Sequence, residues 1–158
     1  MKNFFRLLCA IIFFALVINS FFGCGSKTSA IDGSWSGDSG TYYFDKGEYT
    51  YSDSNGPVAK GTYTINGSTL SSKVTGLHGW WLDVMILPFF EEDWYSRKDL
   101  VDQISRALDE GHIDDDNAEI ISAFMDQMFE QVKTTFSITG NTLTITYNTG
   151  EVFTFTKF

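Results

Sequence analysis

Gly61-Thr62-Tyr63-Thr64-Ile65-Asn66-Gly67-Ser68-Thr69-Leu70 is the stretch that decides the fold. Tyr63 and Ile65 alternate with Thr62 and Thr64, which puts apolar and hydroxyl side chains on opposite faces of a half-buried antiparallel strand. Asn66-Gly67 then supplies the positive φ that a tight hairpin turn needs. Leu70 and Val74 continue on one face with Ser72 between them. The hairpin is written a second time as Thr135-Phe136-Ser137-Ile138-Thr139-Gly140-Asn141-Thr142-Leu143. Both copies read Thr, aromatic, hydroxyl, Ile, x, Gly, x, Thr, Leu, which is either an internal repeat or convergent hairpin chemistry.

The same alternation spreads outward. Tyr49 and Tyr51 alternate with Glu48, Thr50 and Ser52; Leu143, Ile145 and Tyr147 with three threonines; Phe153 and Phe155 with Thr154 and Thr156. Turn signals at Asp45-Lys46-Gly47, Ser54-Asn55-Gly56-Pro57 and Asn148-Thr149-Gly150 separate these runs. Eight strands are expected, at about 33–37, 40–45, 48–53, 58–65, 68–75, 134–139, 142–147 and 151–157. Consecutive strands joined by tight turns predict a mainly β, eight-stranded antiparallel up-and-down barrel, because closure removes exposed sheet edges.

Residues 76–133 interrupt the pattern with a segment of different period. Ser96 is an N-cap with Asp99 at the capping-box position, and Leu100, Val101, Ile104, Ala107 and Leu108 fall at helical spacing before Gly111. A second helix is expected from about Asp116 to Val132, with Ile120, Ile121, Phe124, Met128 and Val132 on its apolar face. The pair reads as an inserted helical hairpin. Charge marks the insert off: Asp83 to Glu130 holds 14 acids and 3 bases, whereas the rest of the chain from residue 24 holds 6 of each. Carboxylates on a solvated helical face keep such a segment soluble. Gly79 to Phe90, containing Trp80 and Trp81, is apolar on nearly every side with one charge, and reads either as core beneath the helices or as a lid.

The N-terminus is an address rather than part of the fold. In residues 1–23, Lys2 and Arg6 precede an apolar run from Leu7 to Phe22, and Gly23 then precedes Cys24. This resembles a bacterial lipoprotein signal peptide, although Phe21 and Phe22 stand where that family places Leu and a small residue. The resemblance implies cleavage before Cys24 and diacylation of its sulfur, giving a palmitate-type anchor in the membrane. An uncleaved anchor and an ordinary secretory signal are the other readings. All three place the globular part in the cell envelope, outside the cytoplasm. Residues 24–30 would be a short polar tether and residues 31–158 the barrel with its insert.

Composition excludes several functions. The 158 residues carry a net charge of −9, so nucleic acid is not an expected partner, since phosphate binding needs a basic patch. Aromatic residues make up 16% of the chain, enough to build a packed core. Asp109 to Asp116 lies between the helices like a calcium loop, but registering Gly111 on the loop glycine puts Arg106 and Leu108 at ligand positions. His78 and His112 lack metal-ligand spacing, and Glu91-Glu92-Asp93 reads as a solvated helix entry. No nucleophile elbow or phosphate loop is present. The expectation is a protein with no catalytic residue, metal or cofactor.

Gly33-Ser34-Trp35 before an antiparallel meander resembles the lipocalin family, and with Cys24, the short linker and the hairpins resembles small bacterial lipocalin-like lipoproteins. The likeness covers about residues 31–75 and 134–158, leaving out the insert. It implies that Trp35 closes one end of the barrel beside a basic residue of the last strand, for which Lys157 is the candidate. It also implies a barrel that takes a small apolar or amphipathic ligand. Tyr49, Tyr51, Tyr63 and Tyr147 are the expected inward ligand contacts, with Trp80 and Trp81 at the mouth. The alternative is a protein-interaction module of the envelope that presents its acidic helices to a protein partner from a solid barrel.

Overall fold

The computed structural model of the protein describes residues 28–85, 90 and 93–158; the leader, Cys24 and most of the tether lie outside them, as do residues 86–89 and 91–92. The chain begins with a short helix α1 (Thr28–Ile31) and runs through β1 (Gly33–Gly37), β2 (Gly40–Asp45), β3 (Glu48–Asp53), β4 (Gly56–Asn66) and β5 (Thr69–His78). Then follow α2 (Gly79–Met85), β6 (Trp94–Tyr95), α3 (Arg97–Asp109) and α4 (Asp115–Met128), and finally β7 (Gln131–Thr139), β8 (Thr142–Thr146) and β9 (Val152–Lys157).

Eight strands pair antiparallel in the cyclic order β1-β2-β3-β4-β5-β7-β8-β9, and β9 returns to β1 through Trp35↔Lys157 and Ser36↔Thr156. The expected closed up-and-down barrel is therefore observed. The two copies of the repeated hairpin are neighbours in it, joined by Thr69↔Thr135. Each turns through two residues, with Gly67 at φ 63° and Gly140 at φ 58°, the backbone region that hairpin turns reserve for glycine.

The strands reach further into the insert than the alternation predicts. Beyond Lys73, β5 leaves β7 and continues against β4, with Ala59 opposite Leu77, and it also holds β6 through Leu77↔Tyr95 and His78↔Trp94. A two-residue strand is too short to show period two, so β6 has no sequence signature.

The core has two parts. Ile31, Trp35, Phe44, Tyr63, Leu70, Leu143 and Phe155 fill the lower barrel. A second cluster joins Val58 and Leu77 of the barrel to Leu82 of α2, Leu100 and Ile104 of α3, and Met125 of α4. Gly61 shapes the boundary: a Cβ there would lie 2.6 Å from the Tyr49 ring and 2.2 Å from the Lys73 carbonyl oxygen. Its missing side chain is what allows the Tyr49 ring to lie against β4.

The helices begin where their caps place them. The Ser96 hydroxyl accepts from the Asp99 amide and the Asp99 carboxylate accepts from the Ser96 amide, completing the capping box. Asp114 caps α4. The chain between the helices is a cap-to-cap connection, with Gly111 at φ 74°. Arg97 and Asp126 tie the two helices together at 2.5 Å. α4 differs from expectation in rotation and length. It buries Met125 and packs Ala118, Ile121 and Met128 inward, while Ile120 is 67% exposed. It stops at Met128 because Gln131 and Val132 pair with Lys73 and Ser72 in the sheet.

Candidate functional site

The barrel ends differ in what the alternating strands deliver to them. At one end lie the turns after β2, β4 and β7, together with α1 and both ends of the barrel sequence. Here Ile31 and Trp35 are buried, and the Trp35 indole donates to the Ile31 carbonyl at 2.6 Å. The Lys157 ammonium sits 5.1 Å from the centre of the Trp35 ring and donates to the Asp32 carbonyl at 3.0 Å. The Tyr63 hydroxyl donates to the Asp32 carboxylate at 2.5 Å. This end is a plug with its polar groups paired.

At the other end, where the insert departs, the barrel holds a cavity of about 600 Å³. Small-molecule sites are commonly about 300–1,000 Å³. Phe44, Tyr49 and Leu70 form its floor, and Tyr42, Tyr51, Tyr147, Ser72 and Thr134 its walls. Trp81 from α2 and Phe124 and Met128 from α4 reach over the opening. An eight-stranded barrel is just wide enough for side chains to fill. Here the short side chains of Ala59, Ser72 and Thr134 leave the space open. A smaller space of about 200 Å³ shares Tyr42, Tyr51 and Tyr147 and extends to Ser39 and Phe153.

The tyrosines form a connected group. Ring centres of Tyr42 and Tyr51 are 4.7 Å apart, and those of Tyr42 and Tyr49 are 6.1 Å apart. The Tyr51 hydroxyl donates to the Ser39 carbonyl, and the Tyr42 and Tyr147 hydroxyls interact with each other. Burial, foremost, pushes the Tyr42 phenol well above its ordinary range and Tyr49 up to about 12. Burial likewise raises Tyr51 and Tyr147, with the interaction with Tyr42 partly offsetting it at Tyr147. All four are therefore neutral phenols at physiological pH, able to donate or accept.

Of the residues expected as ligand contacts, Tyr49, Tyr51, Tyr147 and Trp81 are brought together around the cavity. Tyr63 and Trp80 are not. Tyr63 faces inward as its alternation predicts, but β4 runs opposite to β3, which carries Tyr63 down into the plug. Trp80 packs outside the opening, its indole donating to the Pro57 carbonyl at 2.5 Å with Gly56 beneath it. Cys24 lies outside the described residues. The alternation also missed Tyr42, because Thr41-Tyr42-Tyr43-Phe44 is aromatic on both faces; Tyr43 is the outward one, 50% exposed. Ser72 and Thr134 look like surface hydroxyls in sequence and were missed for that reason.

The histidines are separate. The His78 ring stands edge-on to Trp94 at 5.0 Å, and His112 lies 3.2 Å from the Glu110 carboxylate. Among the described residues, no three His, Cys, Asp or Glu side chains are grouped so as to hold a metal.

The chain matches no protein-family model, no curated protein and no solved structure. The cavity itself is what a functional reading has to explain.

Proposed function

We propose that this protein is a membrane-anchored lipoprotein of the bacterial cell envelope that binds a small apolar or amphipathic ligand in a lipocalin-like barrel. The observation that carries the reading is the cavity of about 600 Å³ with a wall of neutral tyrosines under Trp81, Phe124 and Met128. Its aromatic surface takes up apolar groups, and its phenols and the Ser72 and Thr134 hydroxyls meet a polar end. Two further observations support it. Lys157 lies on the Trp35 ring where the lipocalin resemblance wants a basic residue. The chain also enters the barrel at the plugged end, so an acyl group on Cys24 would leave the cavity mouth facing away from the membrane.

The reading concerns binding rather than catalysis. The interaction-module alternative calls for a solid barrel, and the cavity weighs against it. Native mass spectrometry of protein extracted from the membrane fraction tests the proposal. A stoichiometric small-molecule adduct, lost in Trp81→Ala, is the expected result. A bare chain that also fails to bind any apolar fluorescent probe would leave the acidic helices and a protein partner as the better account. Uptake of labelled fatty acid by the wild type and not by Cys24→Ala tests the anchor.

A further inference from the structure

The cavity wall has a sign. Its charged lining residues are Asp53 and Glu130, and no Lys, Arg or His lines it among the described residues. The two acids stand on different sides of the mouth, Asp53 at the end of β3 and Glu130 just before β7. The Asp53 carboxylate accepts from the Asn55 and Gly56 amides through Oδ1 alone, and it is close enough to Tyr51 to bear on that phenol electrostatically.

The bases are turned elsewhere. Lys46 is in a turn at the plugged end beside Asp45 at 3.9 Å, and Lys157 is on Trp35. Lys60 lies 4.9 Å from the Trp94 ring, on the outer side of β4. Lys73 and Lys133 are exposed, each one residue away from an inward neighbour, Ser72 and Thr134. Trp81, Phe124 and Met128 of the insert reach over the mouth, and the insert's sequence holds 14 acids and 3 bases; of those bases Arg97 is paired with Asp126 and Lys98 with Asp102.

Resting on the binding role proposed above, we infer that the cavity takes an amphiphile carrying a positive charge, an alkyl- or arylamine or a quaternary ammonium, rather than a fatty-acid anion. The apolar part lies against Phe44, Leu70 and the tyrosine rings, and the cationic head sits between Asp53 and Glu130. A carboxylate brought into this site would lose water and meet no cation, in a field that is already negative. A cation gains the two rim carboxylates and the faces of the aromatic rings, which attract positive charge.

The test uses full-length protein and three probes of one shape: a 6-phenylhexyl trimethylammonium, the matching alcohol and the matching carboxylate. Each displaces N-phenyl-1-naphthylamine, and a protein-free blank is subtracted. The expected order is ammonium, then alcohol, then carboxylate, with the ammonium about tenfold or more tighter than the carboxylate, about 1.4 kcal/mol. Added salt and the double variant Asp53→Asn, Glu130→Gln should both narrow that gap. Equal binding of the three, or a preference for the carboxylate, overturns the charge preference and leaves the cavity as a binding site. A preference for the ammonium that survives the double variant overturns the rim as its source. Failure of the naphthylamine and of all three probes to bind overturns the binding role itself.

Discussion

The plugged end and the open end of this barrel are made from the same strands with the same alternation, and they come out as opposite things. At the plugged end Trp35, Tyr63 and Leu143 pack together, the Ile31 carbonyl accepting from the Trp35 indole and the Asp32 carboxylate from the Tyr63 hydroxyl. At the open end Tyr42, Tyr49, Tyr51 and Tyr147 meet Ala59, Ser72 and Thr134, and the space stays empty of side chains. A tyrosine is thus plug or cavity wall according to what stands opposite it in the ring. Volume across the barrel decides this, because a narrow barrel closes only where large side chains face each other.

The largest effect should come from separating the ends. Replacing residues 76–130 with a Gly/Asn turn keeps the Lys73↔Gln131 pairing but removes Trp81, Phe124 and Met128. Urea unfolding should remain cooperative with a much lower midpoint, since Val58 and its neighbours lose their cover at about 1.5–3 kcal/mol per large apolar side chain; apolar probe binding should vanish. Loss of cooperativity would break the comparison, because the open end would then be part of a single core.

Trp35→Ala attacks the plug and should cost about 3–5 kcal/mol in denaturant titrations, with probe affinity unchanged in the fraction that stays folded. An affinity loss as large as the stability loss would mean that the ends are coupled.

Alkaline titration reads the tyrosines. A phenol whose pKa is raised by folding contributes stability that is fully present below its unfolded value near 10 and is lost as pH rises through its folded value. Tyr49, raised to about 12, makes the barrel lose stability between about pH 10 and 12, by about 1.4 kcal/mol for each step of one in pH. Tyrosinate absorbance should rise together with loss of β circular dichroism, and a bound apolar probe should delay both. Early, non-cooperative ionisation of the buried phenols would contradict their placement.

Adjacent tryptophans give a finer contrast. Trp81→Ala should weaken probe binding about tenfold, about 1.4 kcal/mol, whereas Trp80→Ala should lower stability through the lost Pro57 hydrogen bond and leave affinity alone. Reversal of these roles would place the wrong indole at the mouth. The smallest effect is expected for Ser96→Ala, which removes the α3 cap at about 1 kcal/mol, seen as a shifted thermal midpoint with no change in binding.

The parts that were legible in sequence share a physical cause. Strands β3 and β8 and the paired hairpins could be read because period two and glycine turns are local properties. The Ser96–Asp99 box could be read because a cap is satisfied within one turn. The α4 face could not, since Ile120 and Met125 are both apolar and only docking on Leu100 and Ile104 selects between them. Part of the cavity lining was legible through Tyr49, Tyr51 and Tyr147, which alternate cleanly. Tyr42 was hidden by its aromatic neighbours, and Ser72 and Thr134 by being hydroxyls, which buried sheet faces seldom carry.

By itself the sequence determined that Tyr49, Tyr51, Tyr63 and Tyr147 face inward, where the chain turns, that a helix starts after Ser96 and that the insert is acidic. Each of these follows from spacing along the chain and from backbone preferences that act over a few residues. Only the tertiary structure decided how deep each inward residue lies, that Tyr63 seals the bottom while Tyr49 and Tyr51 line a cavity, and that Trp81 rather than Trp80 covers it. Depth depends on strand register and on which side chains oppose one another around a closed ring, and those neighbours come from strands up to about a hundred residues apart.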